Sequence, residues 1–564
     1  METLKDVKNI LQKGDFMVKI DLKDAYFAIP LHQTSKKFVR FEWEGSLYEF
    51  QCLMFGLGPA PRFFTKILKV PISLLRRLQI KILIYIDDIL IVAGSKEAAI
   101  LSRDSTIFLL ENLGFIINLE KSVLTPSQQM EYLGVIINSL NMTFKVPEEK
   151  VLKLKNLCTQ MLKLKTFPVR KLASLIGNLM AIAPAFTLAP LQIRFLQKCM
   201  NTQLGKNKQR YESLMKLDTQ AKQELKWWLE NLSTSNGKEI TIRPSDLIIS
   251  SDAAKGEKGG WGASCGQIST GGLWQKSERG EHINILEMKA ALLALKTFVR
   301  GNYIKSVHLL IDNQTALAHI VKLGRPTNLT LITLAKEIWS FLTQKGITLT
   351  AEYIPSVLNK EADFESRNAT DWSDWKLKRQ VFNQLTKVWG TPEIDLFASR
   401  TSHQLKTYFS WRPDPNCLAI DALTQNWGRN LTYAFPPFSL IGRCLEKVKN
   451  SQATVTLIAP IWTTQPWYPV LLGMLTSNPR RIEMQRDTLT HPSGEVHPLI
   501  LNQTLHLAAW KITGNRKLQI SYQKLLPTLS NNPEQGELDD ITCQPGKTLV
   551  AGVVEGKLIP FQPL

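Results

Sequence analysis

Three aspartates in the first hundred residues have the type and spacing to do phosphoryl chemistry. The run Lys81-Ile-Leu-Ile-Tyr-Ile-Asp-Asp-Ile-Leu-Ile-Val-Ala-Gly94 places Asp87 and Asp88 between two apolar segments. The flanks read as strands of a hairpin with Tyr85, Ile86, Asp87 and Asp88 at its tip. Ionised carboxylates beside buried strands are costly unless something positive compensates them. A second apolar segment, Phe16-Met-Val-Lys-Ile-Asp21, also ends in an acid. If it lies beside the hairpin, three carboxylates converge. Such hard oxygen ligands suit Mg2+, which keeps waters and substrate phosphates in its remaining positions. Two such ions can activate a hydroxyl and stabilise a leaving pyrophosphate.

Four further acids form a second constellation. Leu247-Ile-Ile-Ser-Ser-Asp252 and Val307-His-Leu-Leu-Ile-Asp312 are strands that end in an acid. Gly259-Gly-Trp-Gly-Ala263 reads as a tight turn into the next strand. Between them, residues 283–299 have helical periodicity. Glu287 there shares a face with Ile283, Ala290, Ala291 and Ala294, so it should point inward. Asp363, in Asn359-Lys-Glu-Ala-Asp363, opens another helix. Four acids on separate elements suit a two-metal hydrolytic centre that activates a water.

The elements that must position these groups follow from patterning. Residues 15–140 alternate β-branched runs with amphipathic stretches, an α/β pattern. Residues 147–230 are mainly helical, with Leu152, Leu157, Met161 and Leu164 at helical spacing. From Lys145 to Lys226 there are 16 basic and five acidic residues. Residues 232–245 read as a linker, and a second α/β segment runs from about 247 to 367. The polar, Trp-rich stretch 369–378 reads as a boundary before a third α/β segment ending near 477. Residues 479–564, rich in Pro, Gly, Asn and Gln, read as an extension.

Composition narrows the class. The 564 residues are 44% hydrophobic and 21% charged, as in ordinary globular protein and unlike a disordered or fibrous chain. A formal charge of +20 points to a polyanion partner, nucleic acid first; the bland alternative is a merely soluble basic surface. The helical part carries +11 of it, so the polyanion-facing surface is expected there. Seven cysteines without C-x-x-C spacing argue against a disulfide scaffold or zinc finger. No apolar signal segment opens the chain. Residues 172–191 are uncharged and long enough to span a bilayer. Asn178, Pro184 and Pro190 make a buried helical hairpin the better reading.

The first constellation resembles the reverse transcriptases of retroelements. Tyr85-Ile86-Asp87-Asp88 is similar to their Y-x-D-D box, and Asp21 to their first metal ligand. The resemblance implies that Tyr26 gates against a ribose 2′-hydroxyl. Phe55-Gly56 and the following Leu-Gly-Pro-Ala-Pro61 would bear on the incoming nucleotide and template. Lys121, in Asn118-Leu-Glu-Lys121, would protonate pyrophosphate. Tyr132 and Gly134, in Glu131-Tyr-Leu-Gly134, would grip the primer end. The helices after Pro147 would be a thumb. Only twenty residues precede Asp21, where the family has a fingers region. The chain is therefore expected to be a piece of a longer polyprotein or impaired as a polymerase.

The second constellation resembles ribonuclease H. In that family the acids matching Asp252, Glu287, Asp312 and Asp363 bind two Mg2+ and cut RNA in an RNA–DNA hybrid. Where many members carry a mobile His, this chain has Ile354-Pro-Ser-Val-Leu358. Farther on, Asp395-Leu-Phe-Ala-Ser399, Asp421-Ala-Leu-Thr-Gln-Asn-Trp427, Ala434-Phe-Pro-Pro-Phe438 and Thr456-Leu-Ile-Ala-Pro-Ile-Trp462 resemble phage-type adenine methyltransferases. Phe435 stands where those enzymes carry the Asn or Asp that accepts from the target amine, so methyl transfer is not expected. Phe438 could still stack on a base.

The order of the three regions resembles the polyprotein of DIRS-type retrotransposons, which implies a multidomain α/β and α+β chain. Its expected parts are a polymerase palm (1–145, fingers largely missing), a helical thumb and connection (146–240) and a ribonuclease H-like domain (246–370). A degenerate methyltransferase-like domain (380–478) and a C-terminal extension (479–564) would follow. The implied function is RNA-directed DNA polymerisation with hybrid cleavage, using two Mg2+, or Mn2+, per site. Implied partners are an RNA template, a DNA primer, RNA–DNA hybrid, dNTPs and a tyrosine recombinase of the same element; no membrane is expected. The alternatives are a chain active only as a hybrid ribonuclease and a non-catalytic nucleic-acid-binding remnant.

Overall fold

The computed structural model describes residues 2–206, 210–241, 244–324, 328–428, 430–528 and 550–564. It divides into two compact units, Met1–Pro244 with Lys322–Ile332, and Ser245–Val321 with Thr333–Leu564.

In the first unit, the sheet order is Lys81–Tyr85, Asp88–Ala93, Phe16–Lys23, Ile116–Ile117, so Phe16–Lys23 lies beside the second hairpin strand. Phe16–Lys23 shows why its acid is placed where it is. Side chains alternate across a strand. Val18, Ile20 and Leu22 enter a core with Phe64, Leu68 and Ile72 of the helix Ala60–Arg77. Met17 enters the other core, and Lys19 and Asp21 share its face. The hairpin tip is a two-residue turn, with Ile86 at φ 57°.

The helical part is Glu148–Lys163, Val169–Ala181, Arg194–Lys206 and Thr219–Thr234. Leu154, Leu172, Leu179, Leu225 and Trp228 pack together there. The uncharged stretch 172–191 lies in this core, broken into a helix and two 3-10 turns. Among the described residues no helix is long and apolar enough to cross a membrane. The segment 232–245, read from sequence as a linker, is partly structured. The last helix runs to Thr234, and Lys238–Glu239 pairs with Thr143–Lys145 as a strand. Ile240 is buried there, which anchors a segment whose polar composition reads as loop.

In the second unit, one sheet runs Ile268–Leu273, Gly260–Cys265, Leu247–Ala253, Ser306–Ile311, Thr348–Tyr353. Its first three strands are antiparallel, and its last two join in parallel. The helix Ile283–Phe298 is buried along much of its length. The glycines read as a turn are mostly strand. A Cβ on Gly262 would sit 2.0 Å from the carbonyl oxygen of Ala362. Gly262 is therefore glycine because the helix Lys360–Arg367 lies directly on the strand.

A second sheet in this unit runs Leu431–Ala434, Thr454–Pro460, Leu507–Thr513, Arg480–Ile482, Gln562–Pro563. Three of its five strands come from residues 479–564, so that stretch is built into the fold and is no extension. Leu507–Thr513 is almost wholly buried between its neighbours. Its apolar run is short and framed by polar turns, which hides it in the sequence. The Trp-rich stretch 369–378 is also tied in: Lys376–Leu377 pairs with Leu489–Thr490, and Trp372 stacks on His491 at 5.5 Å.

Candidate active sites

In the first unit, strand register brings the aspartates together. Asp21 pairs across the ladder with Asp88, and the Leu22 amide donates to the Asp87 carbonyl at 3.1 Å. Burial raises the Asp87 carboxyl above its usual range; the charges of Asp88 and Asp21 add to this, and Lys121 opposes it. Asp88 is drawn instead to Lys19, whose ammonium lies 3.0 Å from its Oδ1.

The residues matched to polymerase roles surround these acids. Tyr26 is buried, 5.1 Å from Phe55 and 5.3 Å from Phe64 between ring centroids. Its hydroxyl is raised by burial first and by the Asp87 charge second. Phe55 is exposed, and Gly56 takes φ 90°. Lys121 belongs to a segment docked on Asp21: the Asn118 amide donates to the Asp21 carbonyl at 2.8 Å, and Ser122 Oγ accepts from the Asp21 amide at 3.0 Å. The Tyr132 hydroxyl donates to the Asp88 carbonyl at 3.4 Å, beneath the hairpin. Gly134, at φ 80°, accepts from Lys150 Nζ at 3.1 Å. It lines a groove of about 180 Å³ with Lys153 and Asn178.

The second site is tighter. Asp252, Glu287 and Asp312 each offer a carboxylate oxygen, all within 4.8 Å of one another. No other group of three or more His, Cys, Asp or Glu among the described residues is drawn so close, the Asp21–Asp87–Asp88 set included. Asp252 and Glu287 are buried, and Glu287 Oε2 has no hydrogen-bond partner. Burial, then the charges of Asp252 and Asp312, push the Glu287 carboxyl up to about 9. Burial raises Asp252 as well. Three hard oxygens with an orphaned buried carboxylate fit a divalent cation. Asp363 stands outside the group, partly exposed, and accepts from Arg367 Nε at 2.7 Å. It lies close enough to raise Asp252 electrostatically.

Hydroxyl groups that carry no motif hold these acids in place. Ser366 Oγ donates to Asp252 Oδ2 at 2.5 Å, and Ser356 Oγ donates to Asp312 Oδ2 at 2.8 Å. Sequence reasoning missed both. Ser366 lies three residues after Asp363 on the same helix, so helical spacing could have found it. Lys19 was missed too, although it alternates with Asp21 along one strand.

The third region brings three of its four sequence segments around one cavity, and 456–462 does not line it. Residues 396–398, 421–423, 435 and 437 all line a space of about 410 Å³. Phe435 is buried, and Phe438 lies 5.2 Å from Trp462. Burial raises the Asp395 carboxyl to about 7, and its Oδ2 accepts from the Gln404 amide at 2.8 Å.

Comparison with known proteins finds a family match over the segment that carries the first acid set. Residues 1–137 match the family model described as Reverse transcriptase (RNA-dependent DNA polymerase). An uncharacterized Caenorhabditis elegans protein is 30% identical over 124 residues, 22% of this chain and 9% of that protein. The Gag-Pol polyprotein of Walleye dermal sarcoma virus is 26% identical over 134 residues, 23% of this chain and 8% of the polyprotein. The chain thus spans less than a tenth of these relatives. Among solved structures, the foamy viral protease-reverse transcriptase in complex with RNA/DNA hybrid is similar at 18% identity and TM-score 0.39. That match covers 63% of this chain and 46% of that one.

Proposed function

We propose that the chain is the reverse transcriptase and ribonuclease H portion of a DIRS-type retroelement polyprotein. Residues 1–145 are read as the palm, 146–240 as the thumb and connection, and 246–370 as the ribonuclease H-like domain. Residues from 380 onward are read as a methyltransferase-like region without transfer activity. The observation that carries the reading is the Asp252–Glu287–Asp312 cluster, downstream of the matched polymerase family. In the polymerase, Asp21 and Asp87 would hold Mg2+, with Asp88 neutralised by Lys19. Tyr26 would exclude a ribose hydroxyl, and Phe55 and Gly56 would border the nucleotide. Lys121 would give up a proton to pyrophosphate, and Tyr132 and Gly134 would support the primer end. In the nuclease, Asp252, Glu287 and Asp312 would hold the metal, with Asp363 completing the site. Bound Mg2+ or Mn2+ would supply an activated water and shield the departing oxygen.

The second reading, a hybrid nuclease without polymerase activity, is favoured by one observation. Only the second acid set closes to metal-binding size, while Asp88 is committed to Lys19. Primer extension and RNA–DNA hybrid cleavage, measured with Mg2+ on one preparation, separate the two. The polymerase-plus-nuclease reading expects both activities, with Asp87→Asn losing extension alone and Asp252→Asn losing cleavage alone. Cleavage without extension selects the second reading. Hybrid binding with neither activity overturns both.

A further inference from the structure

The 410 Å³ cavity of the third region has a chemistry that polymerisation and hydrolysis do not use. Four aromatic rings line it: Trp375, Phe397, Trp411 and Phe435. Three carboxylates, Asp371, Asp374 and Asp421, also line it, and no lysine or arginine does. Each carboxylate accepts from neutral donors. Trp411 Nε1 donates to Asp371 Oδ2 at 2.7 Å, Ser399 Oγ to Asp374 Oδ2 at 2.6 Å, and the Leu423 amide to Asp421 Oδ1 at 3.1 Å. The arginines beside it face other acids: Arg400 Nη2 meets both oxygens of Glu278 at 2.7 and 2.8 Å, and Arg412 reaches Glu365 at 3.3 Å, while Lys376, next to Trp375, feels the Asp374 charge. The cavity is therefore negative and ring-walled inside a chain of +20. That combination repels phosphate. It attracts a positive group whose own surface is apolar, because ring faces and fixed carboxylates both stabilise such a charge without needing its hydration shell.

We propose that this cavity is a binding site for an organic cation with a methylated onium head, carried on a peptide lysine or on a small molecule. Trp411, held by its bond to Asp371, and Trp375 form the aromatic walls, while Asp421 supplies the countercharge. The size suits a head group with several attached atoms, within the range of small-ligand sites. The inference does not depend on either acid centre being active.

Calorimetric titration of the full chain tests it with four probes: tetramethylammonium, a trimethyllysine peptide, the neutral isostere 3,3-dimethylbutanol, and adenosine. Tetramethylammonium is expected to bind at least about tenfold more tightly than the neutral isostere. Tighter binding of the peptide than of tetramethylammonium assigns the cation to a protein side chain; equal or weaker binding assigns it to a small molecule. Trp411→Ala should weaken onium binding by about tenfold. Trp411 is largely exposed, so its removal leaves the fold intact. Asp421→Asn, which keeps the shape, should weaken the cation and leave the neutral isostere unchanged. The proposal is overturned if no onium probe binds, if the isostere binds as well as the cation, if adenosine alone binds, or if both variants bind like the parent.

Discussion

Glu287 is a carboxyl held among like charges with one oxygen unpaired, and its protonation ties stability to pH. Its ordinary value is 4.5, and in the folded, metal-free chain it rises to about 9. Between these values the folded state holds a proton that the unfolded state has lost. Stability from this group is therefore full below about pH 4.5 and is lost as pH climbs toward 9. Thermal melting of the EDTA-treated chain should fall from pH 5 to pH 8.5. Glu287→Gln should flatten that dependence, and a parent curve no steeper than the variant's would refute the assignment. The same residue scale gives Ser366 its place. Its hydroxyl fixes Asp252, so Ser366→Ala should raise the Mg2+ concentration for half-maximal hybrid cleavage by about tenfold. Restoring rate with excess Mg2+ would separate this orienting role from a folding defect.

At the scale of elements, the helix Lys360–Arg367 carries Asp363 and Ser366 to the site, and bare backbone lets it approach. Gly262→Ala would drive a methyl group into the Ala362 carbonyl. That should destabilise the second unit by about 1–3 kcal/mol and abolish hybrid cleavage. Primer extension measured alongside should be unchanged. This element also shows where sequence reading works. Apolar runs that stop at an acid announced Asp21, Asp252 and Asp312, and helical phase turned Glu287 inward. The same logic misread Gly260 and Gly262, because a glycine that admits a neighbouring backbone looks like a glycine that turns. Nor could local patterning show Asp88 paired with Lys19, since the pair depends on how two strands register.

At the scale of the molecule, the +11 excess between Lys145 and Lys226 is the most direct pointer to a phosphate backbone. Binding of that kind releases counterions. Affinity for an RNA–DNA hybrid should fall at least about tenfold between 50 and 200 mM salt, by fluorescence anisotropy. A flat titration would remove nucleic acid from the account. Domain limits were the least legible feature. The third region's sheet is stitched from short strands far apart in sequence, and no single stretch advertises membership.

The interleaved strand order of that sheet makes it intolerant of shortening. Thr454–Pro460 is shielded on one side only by Leu507–Thr513, which arrives nearly fifty residues later. A polypeptide ending near residue 478 would leave an apolar ladder of unpaired amides and carbonyls open to any passing strand. Such a fragment should clump where the intact chain stays dispersed, so proteolysis or a premature stop in this stretch would disable the whole third region.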